Sequence, residues 1–196
     1  MQLAVEIEKT FGKLTDEQFF QFCLANKGRL RIERDENGQI LIMPPTGLET
    51  GNYNSELNYE FVKWNKSQRL GKVFDSNAGF TLPDTSVKLP DVSWLSNEKW
   101  NRISEEERKR FAKTVPDFVL ELRSASDELW ELKKKLEKWL ENGVQLGWLV
   151  DVQNEKTYVY RPSQEVEQVP FAQTLSGENV LPGFSINLKQ FVESLK

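Results

Sequence analysis

Phe118-Val119-Leu120-Glu121-Leu122 is a short apolar run with one carboxylate inside it, entered through Pro116-Asp117 and left through Arg123-Ser124-Ala125-Ser126-Asp127. Bounded this way by turn residues, the run reads as a buried strand. Beyond it, Leu129, Leu132, Leu136, Trp139 and Leu140 recur at helical spacing, which predicts a helix over about 127 to 142 that Gly143 ends. VQLGWLVD (144–151) and TYVYR (157–161) then read as two further strands. Strand, helix and strand in succession is the unit of a sheet covered by helices.

Working outward, four short strand candidates precede this unit: KVFD, GFTL, SVKL and DVSWL, broken by Asn77, Gly79, Pro83-Asp84 and Pro90. Tyr53, Leu57, Phe61 and Trp64 predict an amphipathic helix over 52 to 68, closed by Gly71. LRIER and QILIM alternate about Asp35-Glu36-Asn37-Gly38, a hairpin that Pro44-Pro45 stops. Thr15, with Gln18 in the capping-box position, opens a short helix to Asn26, and Gly28 lies just past its end. A charged, solvated helix is expected over 96 to 113 and a last one over 187 to 195. No repeat or linker interrupts the chain, so residues 1–196 read as one domain. It is of α/β (α+β) class, a mixed β-sheet flanked by helices with an N-terminal helix and hairpin.

Composition narrows the chemistry. The 196 residues are 38% hydrophobic and 29% charged, ordinary for a globular chain, and the single cysteine, Cys23, cannot form an internal disulfide. Glu6 and Glu8 stand where a secretory signal would need an apolar run, and no stretch approaches about 18 uninterrupted apolar residues. A cytoplasmic protein without membrane contact is the expectation. With 0 histidines, imidazole-based triads and histidine-ligated metals are excluded, leaving carboxylates, amines, hydroxyls or a metal held by oxygen. The net charge of −4 gives the whole molecule low affinity for a polyanion. Only short basic runs, Lys133 to Lys135 and near Arg108 to Lys113, oppose that balance.

Two carboxylates draw attention because they open or interrupt apolar strands: Asp91 in Leu89-Pro90-Asp91-Val92-Ser93-Trp94, and Glu121. A buried carboxylate needs a cation, a set of N–H donors or a metal. The plain structural alternative is an Asp in a turn and a Glu paired with Arg123. In the following helix, Lys135 and Lys133 both border the apolar face, where a lysine can extend its stem toward the end of the Glu121 strand. Periodicity does not choose between them. Ser124 and Ser126 suit an N-cap, and Asp151 suits a turn. Trp64, Trp139 and Trp148 fall in apolar patterns and read as core, whereas Trp94, Trp100 and Trp130 stay open.

Pro90-Asp91, Glu121 on a strand and a later lysine resemble the PD-(D/E)XK nuclease superfamily. More specifically, Pro116-Asp-Phe-Val-Leu-Glu-Leu-Arg-Ser-Ala-Ser-Asp127 with Leu129-x-x-Leu-x-x-Lys135-Leu-x-x-Trp139-x-x-Asn-Gly143 and Leu146-Gly-Trp-Leu-Val-Asp151 is similar to the bacterial Uma-two family of restriction endonucleases. Met43-Pro-Pro-Thr-Gly-x-Glu49-Thr-Gly-x-x-Asn54-x-Glu56-Leu fits the same family. The third motif position is Arg123 rather than lysine. In the family this lysine has moved to the following helix, which matches Lys135. The resemblance also implies an acidic residue on the first core helix: Glu56 matches, and Glu60 is the local alternative.

The resemblance implies a restriction-endonuclease-like fold, a Mg²⁺- or Mn²⁺-dependent endonuclease acting on DNA, and a homodimer. Asp91, Glu121 and the backbone carbonyl of Leu122 would ligate the metal, with Glu56 taking a coordinated water or a second ion. Lys135 would orient or deprotonate the attacking water, a role for an amine whose pKa burial lowers. Arg123 and Lys133 are candidates for phosphate contact. A catalytically inactive scaffold that keeps the fold is the competing reading. A carboxylate-pair glycosidase would need a sugar groove that nothing in the sequence specifies.

Overall fold

The computed structural model describes residues 3–5 and 12–195. Glu6 and Glu8, on which the reading of the N-terminus rests, lie outside them. In chain order the elements are β1 (Leu3–Val5), α1 (Asp16–Ala25), β2 (Arg31–Arg34), β3 (Ile40–Met43), α2 (Leu48–Gln68), β4 (Gly71–Phe74), β5 (Phe80–Thr81), β6 (Val87–Lys88), β7 (Val92–Ser96) and α3 (Asn97–Arg102). There follow β8 (Phe118–Leu122), α4 (Leu129–Glu141), β9 (Leu146–Asp151), β10 (Lys156–Tyr160), β11 (Glu167–Pro170), β12 (Thr174–Ser176), β13 (Ser185–Asn187) and α5 (Leu188–Ser194).

The larger sheet runs β11-β10-β9-β8-β7-β4, and only β8 and β9 pair parallel, because α4 carries the chain back between them. A second sheet, β1-β3-β2-β6-β5, holds the hairpin, and β12-β13 form a small ribbon. The hairpin turn follows the sequence expectation. Asp35 Oδ1 accepts the Asn37 and Gln39 N–H groups, and Gly38 sits at φ +93°, where a side chain would be strained.

Strand alternation divides the core in two. Phe118, Leu120 and Leu122 of β8, with Trp148 and Val150 of β9, face α2 and the C-terminal segment, meeting Phe61, Phe184 and Leu188. Val119 and Leu149 face the opposite way, onto Leu132, Leu136 and Trp139 of α4. Glu121 shares that second face by period. Gly147 does too, and a Cβ there would meet Leu136 Cδ1 at 2.7 Å, so glycine lets α4 seat close on the sheet.

Several expectations shift. The helix over 96 to 113 ends at Arg102: Ile103 is extended and buried, and Ser104 starts a separate 3-10 turn, Glu107–Lys109. There the Ser104 hydroxyl accepts the Glu107 N–H while Glu107 Oε2 accepts from Ser104 N–H, a reciprocal cap that restarts the chain. The helix over 52 to 68 begins earlier, at Leu48, and Arg69 at φ 57° closes it, not Gly71. Ser124 and Ser126 do not cap α4, whose N-cap is Glu128. Asp127 Oδ2 instead accepts from the Ser124 N–H and hydroxyl, which folds the loop.

Candidate active site

The site forms where the two sheets meet. Leu89-Pro90-Asp91 joins β6 of one sheet to β7 of the other, and the ladder between β7 and β8 ends there with Asp91 N–H donating to the Leu120 carbonyl at 3.1 Å. Beyond the ladder, Asp91 Oδ2 accepts the Leu122 N–H at 2.8 Å. An extended residue directs its N–H and C=O to the same strand edge, so the Leu122 carbonyl shares the edge that Asp91 occupies. Asp91 Oδ1 faces Arg31 Nη1 at 3.4 Å and Asn54 Nδ2 at 3.3 Å.

Glu121 is buried on the α4 side. Its Oε1 accepts from Trp139 Nε1 at 2.9 Å, and Lys135 Nζ approaches both oxygens, at 3.0 and 3.1 Å. The same ammonium reaches the Leu89 carbonyl at 3.1 Å and Glu33 Oε1 at 2.9 Å. Glu33 Oε1 in turn accepts the Leu89 N–H at 2.9 Å. Lys135 is thus at the centre of a buried network drawn from β2, β8, α4 and the Leu89 link.

The charges in that network do not balance evenly. Burial lifts the Glu121 pKa to about 7, Lys135 pulls against that rise, and the Asp91 and Glu33 charges add to it. Burial also opposes ionisation of Glu33, but Lys135 and Lys88 hold it below its usual value. Burial disfavours the Lys135 ammonium, yet Glu121 and Glu33 outweigh it and raise its pKa. The expectation of an amine with lowered pKa is therefore corrected. Glu121 and Glu33 favour the protonated form of Lys135.

The structure brings Asp91, Glu121, Leu122 and Lys135 to one small pocket, which Arg31, Asn54, Thr50 and Ser126 also line. Glu56 is not among its lining residues. Thr50 and Asn54 stand one turn apart on α2 and point into the pocket, whereas Glu56, two residues past Asn54, is rotated about 200° around the axis. Glu60 pairs with Lys63 at 3.5 Å, away from the site.

Neither phosphate-contact candidate lines the pocket. Arg123 donates to Asp151 Oδ2 at 2.8 Å, and Lys133 lies 4.2 Å from the centre of the Tyr158 ring. Asp151 is fully buried by this pairing and accepts from Asn154 as well, more than a turn residue would need.

Sequence reasoning passed over Arg31, Glu33 and Asn54. Asn54 carried a usable signal: it lies on the stripe of Leu57 and Phe61, a polar residue where the helix meets the core. Glu33 carried none, since alternation placed it on the outer face of the hairpin.

The donor set suits a hard cation. It offers two carboxylates, the Leu122 carbonyl and Asn54 Oδ1, a buried oxygen without a hydrogen-bond partner, as is Glu33 Oε2. No group of three His, Cys, Asp or Glu side chains is placed to hold a metal among the described residues. The arrangement fits an ion that keeps several waters, as Mg²⁺ does. Among the described residues no helix is long and apolar enough to cross a membrane.

Comparison with known proteins gives the arrangement a context. No curated protein matches the chain. A crystal structure described as "a putative nuclease belonging to DUF820", from Anabaena variabilis, superposes with a TM-score of 0.76 at 24% identity, covering 93% of this chain and 99% of that one. The overlap extends over nearly the whole of both chains, so the two share a fold. The family profile "Uma2: Putative restriction endonuclease" matches residues 16–189, a span that runs from the first residue of α1 into α5 and takes in every residue of the pocket, and the chain belongs to that family.

Proposed function

We propose that the chain is a divalent-metal-dependent endonuclease that hydrolyses DNA phosphodiester bonds at Asp91, Glu121 and Lys135. The observation that carries this reading is the convergence of these three side chains, from the link into β7, from β8 and from α4, on a pocket short of positive charge. Asp91, Glu121, Asp127 and Glu131 line it against Arg31 and Lys135. The family description and the fold of the Anabaena protein support the same chemistry.

In this reading Asp91, Glu121 and the Leu122 carbonyl hold Mg²⁺ or Mn²⁺, with Asn54 Oδ1 in the place expected for Glu56. The ion supplies Lewis-acid neutralisation and lowers the pKa of water. Lys135 fixes Glu121 and Leu89, and its positive charge opposes the charge that develops on the phosphoryl group. Arg31, which faces Asp91 and donates to the Leu89 carbonyl, meets the phosphate in the role expected of Arg123 and Lys133. The chain acts as a homodimer, as the family resemblance implies, and in the cytoplasm, as its composition suggests.

Cleavage of supercoiled plasmid and of oligonucleotides in Mg²⁺, Mn²⁺ or EDTA, alongside Asp91→Asn and Lys135→Ala, tests this. Metal-dependent cleavage that disappears in both variants is expected. A second reading has its own observation: Lys135 already engages both Glu121 oxygens and Arg31 faces Asp91, as in an inactive scaffold. Mn²⁺ titration followed by electron paramagnetic resonance separates the two. Binding abolished in Asp91→Asn supports the enzyme, and no binding in the wild type supports the scaffold.

A further inference from the structure

A cleft of about 830 Å³ opens beside the pocket and shares Arg31, Met43, Pro44 and Thr46 with it. One wall is the end of α1 with the turn into β2. The other is formed by the segment from Phe74 to Phe80 and by residues from Trp100 to Thr114, the region of the second basic run. In a chain with net charge −4, Lys27, Arg29, Arg31, Arg108, Lys109 and Arg110 line this cleft, and no Asp or Glu does. Such segregation of charge concentrates a positive field in one concavity.

The cations are not all committed. Lys109 pairs with Glu106, Arg110 with Glu17 and Arg31 with Asp91. Lys27, Arg29 and Arg108 pair with no carboxylate among the described residues. Arg108 lies 4.3 Å from the centre of the Trp100 ring and donates through Nη2 to the Trp100 carbonyl at 2.9 Å. Its buried Nε has no partner, and neither has Nε of Arg31 at the junction with the pocket.

Charge alone would suit any polyanion; the walls between the cations discriminate. Phe20, Leu24, Phe74, Trp100 and Phe111 give the cleft an apolar and aromatic interior. A duplex keeps its bases stacked inside and offers such walls nothing, whereas unpaired nucleotides present both ring faces and phosphates. Resting on the nuclease reading above, we propose that this cleft binds an unpaired stretch of the DNA strand to be cut. Lys27 and Arg29 contact its backbone, and a base stacks on the Arg108 guanidinium, which the Trp100 ring supports from behind. The substrate class is then single-stranded DNA or the unpaired arm of a branched molecule, delivered to Asp91 past Arg31.

Binding measured in EDTA tests the cleft apart from the chemistry. Fluorescence anisotropy of a labelled oligothymidine should show tighter binding than a duplex of equal length. Binding in EDTA uses no metal and no turnover, so a failure of catalysis leaves this result standing. The double variant Lys27→Gln/Arg29→Gln changes only exposed side chains, and it should lower the slope of log affinity against log salt by roughly 0.7 for each phosphate no longer neutralised. Trp100→Ala should weaken single-strand binding roughly five- to a hundred-fold. Equal or tighter binding of duplex, or an unchanged salt slope in the double variant, overturns the proposal.

Discussion

The six-stranded sheet has two faces that differ in kind. Toward α2 the centre of the contact is apolar and aromatic: Phe61 stacks on Phe118 at 5.1 Å and on Phe184 at 4.3 Å, with Trp148 completing the cluster. Toward α4, Val119 and Leu149 share the interior with Glu121, Asp151 and Lys135. The first face gains its stability from area removed from water and close packing. The second accepts the desolvation of charges that hydrophobic residues of like volume would avoid, and such an arrangement persists where the charges have work to do.

That contrast can be broken from either side. The largest effect is expected for Phe61→Ala, which opens a cavity in the apolar face and should cost about 4 kcal/mol, read as a drop of roughly 10 °C in melting temperature. Folded molecules of this variant should keep their metal binding.

On the charged face, Lys135→Met strands Glu33 and Glu121 without their cation and should cost about 3 kcal/mol in urea unfolding. Adding Glu33→Gln and Glu121→Gln to it should recover most of that stability while leaving cleavage abolished. No recovery would mean that the network is needed for packing rather than for chemistry.

The smallest effect, about 2 kcal/mol, is expected for Asp151→Asn, which weakens the contact to Arg123. Burial opposes the Asp151 anion, but Asn154 and Arg123 hold its pKa below the usual value. Its contribution is therefore complete above the unfolded-state pKa, about 4, and is lost as pH falls through the folded value. Chemical unfolding from about pH 7 to 3 should show the gap between wild type and variant close with acidification.

The apolar face was legible because periodicity reports it directly. Leu57, Phe61 and Trp64 declare a helix, and the short apolar runs FVLEL and LGWLVD, bounded by turn residues, declare the strands. What escaped was set by neighbours distant in sequence. β11, β12 and β13 are short and largely exposed, so no pattern marks them. The charged run from Ser96 to Lys113 has helical composition throughout, but burial of Ile103 and the Ser104–Glu107 cap divide it.

At the site, Asp91 and Glu121 stood out as carboxylates in apolar strands. Lys135 required the family resemblance to separate it from Lys133. Glu33 could be recognised only when the hairpin was seen against α4. Glu56 was expected by motif position, whereas the geometry of α2 presents Asn54.

Lys135 bridges two parts of the molecule that belong to different sheets. Glu33 rides on the hairpin sheet that forms one wall of the cationic cleft, while Glu121 and the β7 entrance at Asp91 belong to the six-stranded sheet. One ammonium therefore acts as a rivet through both plates, setting the separation of the groove walls and the seat of the carboxylates together. A lineage that lost it would have to retune grip and chemistry at the same time.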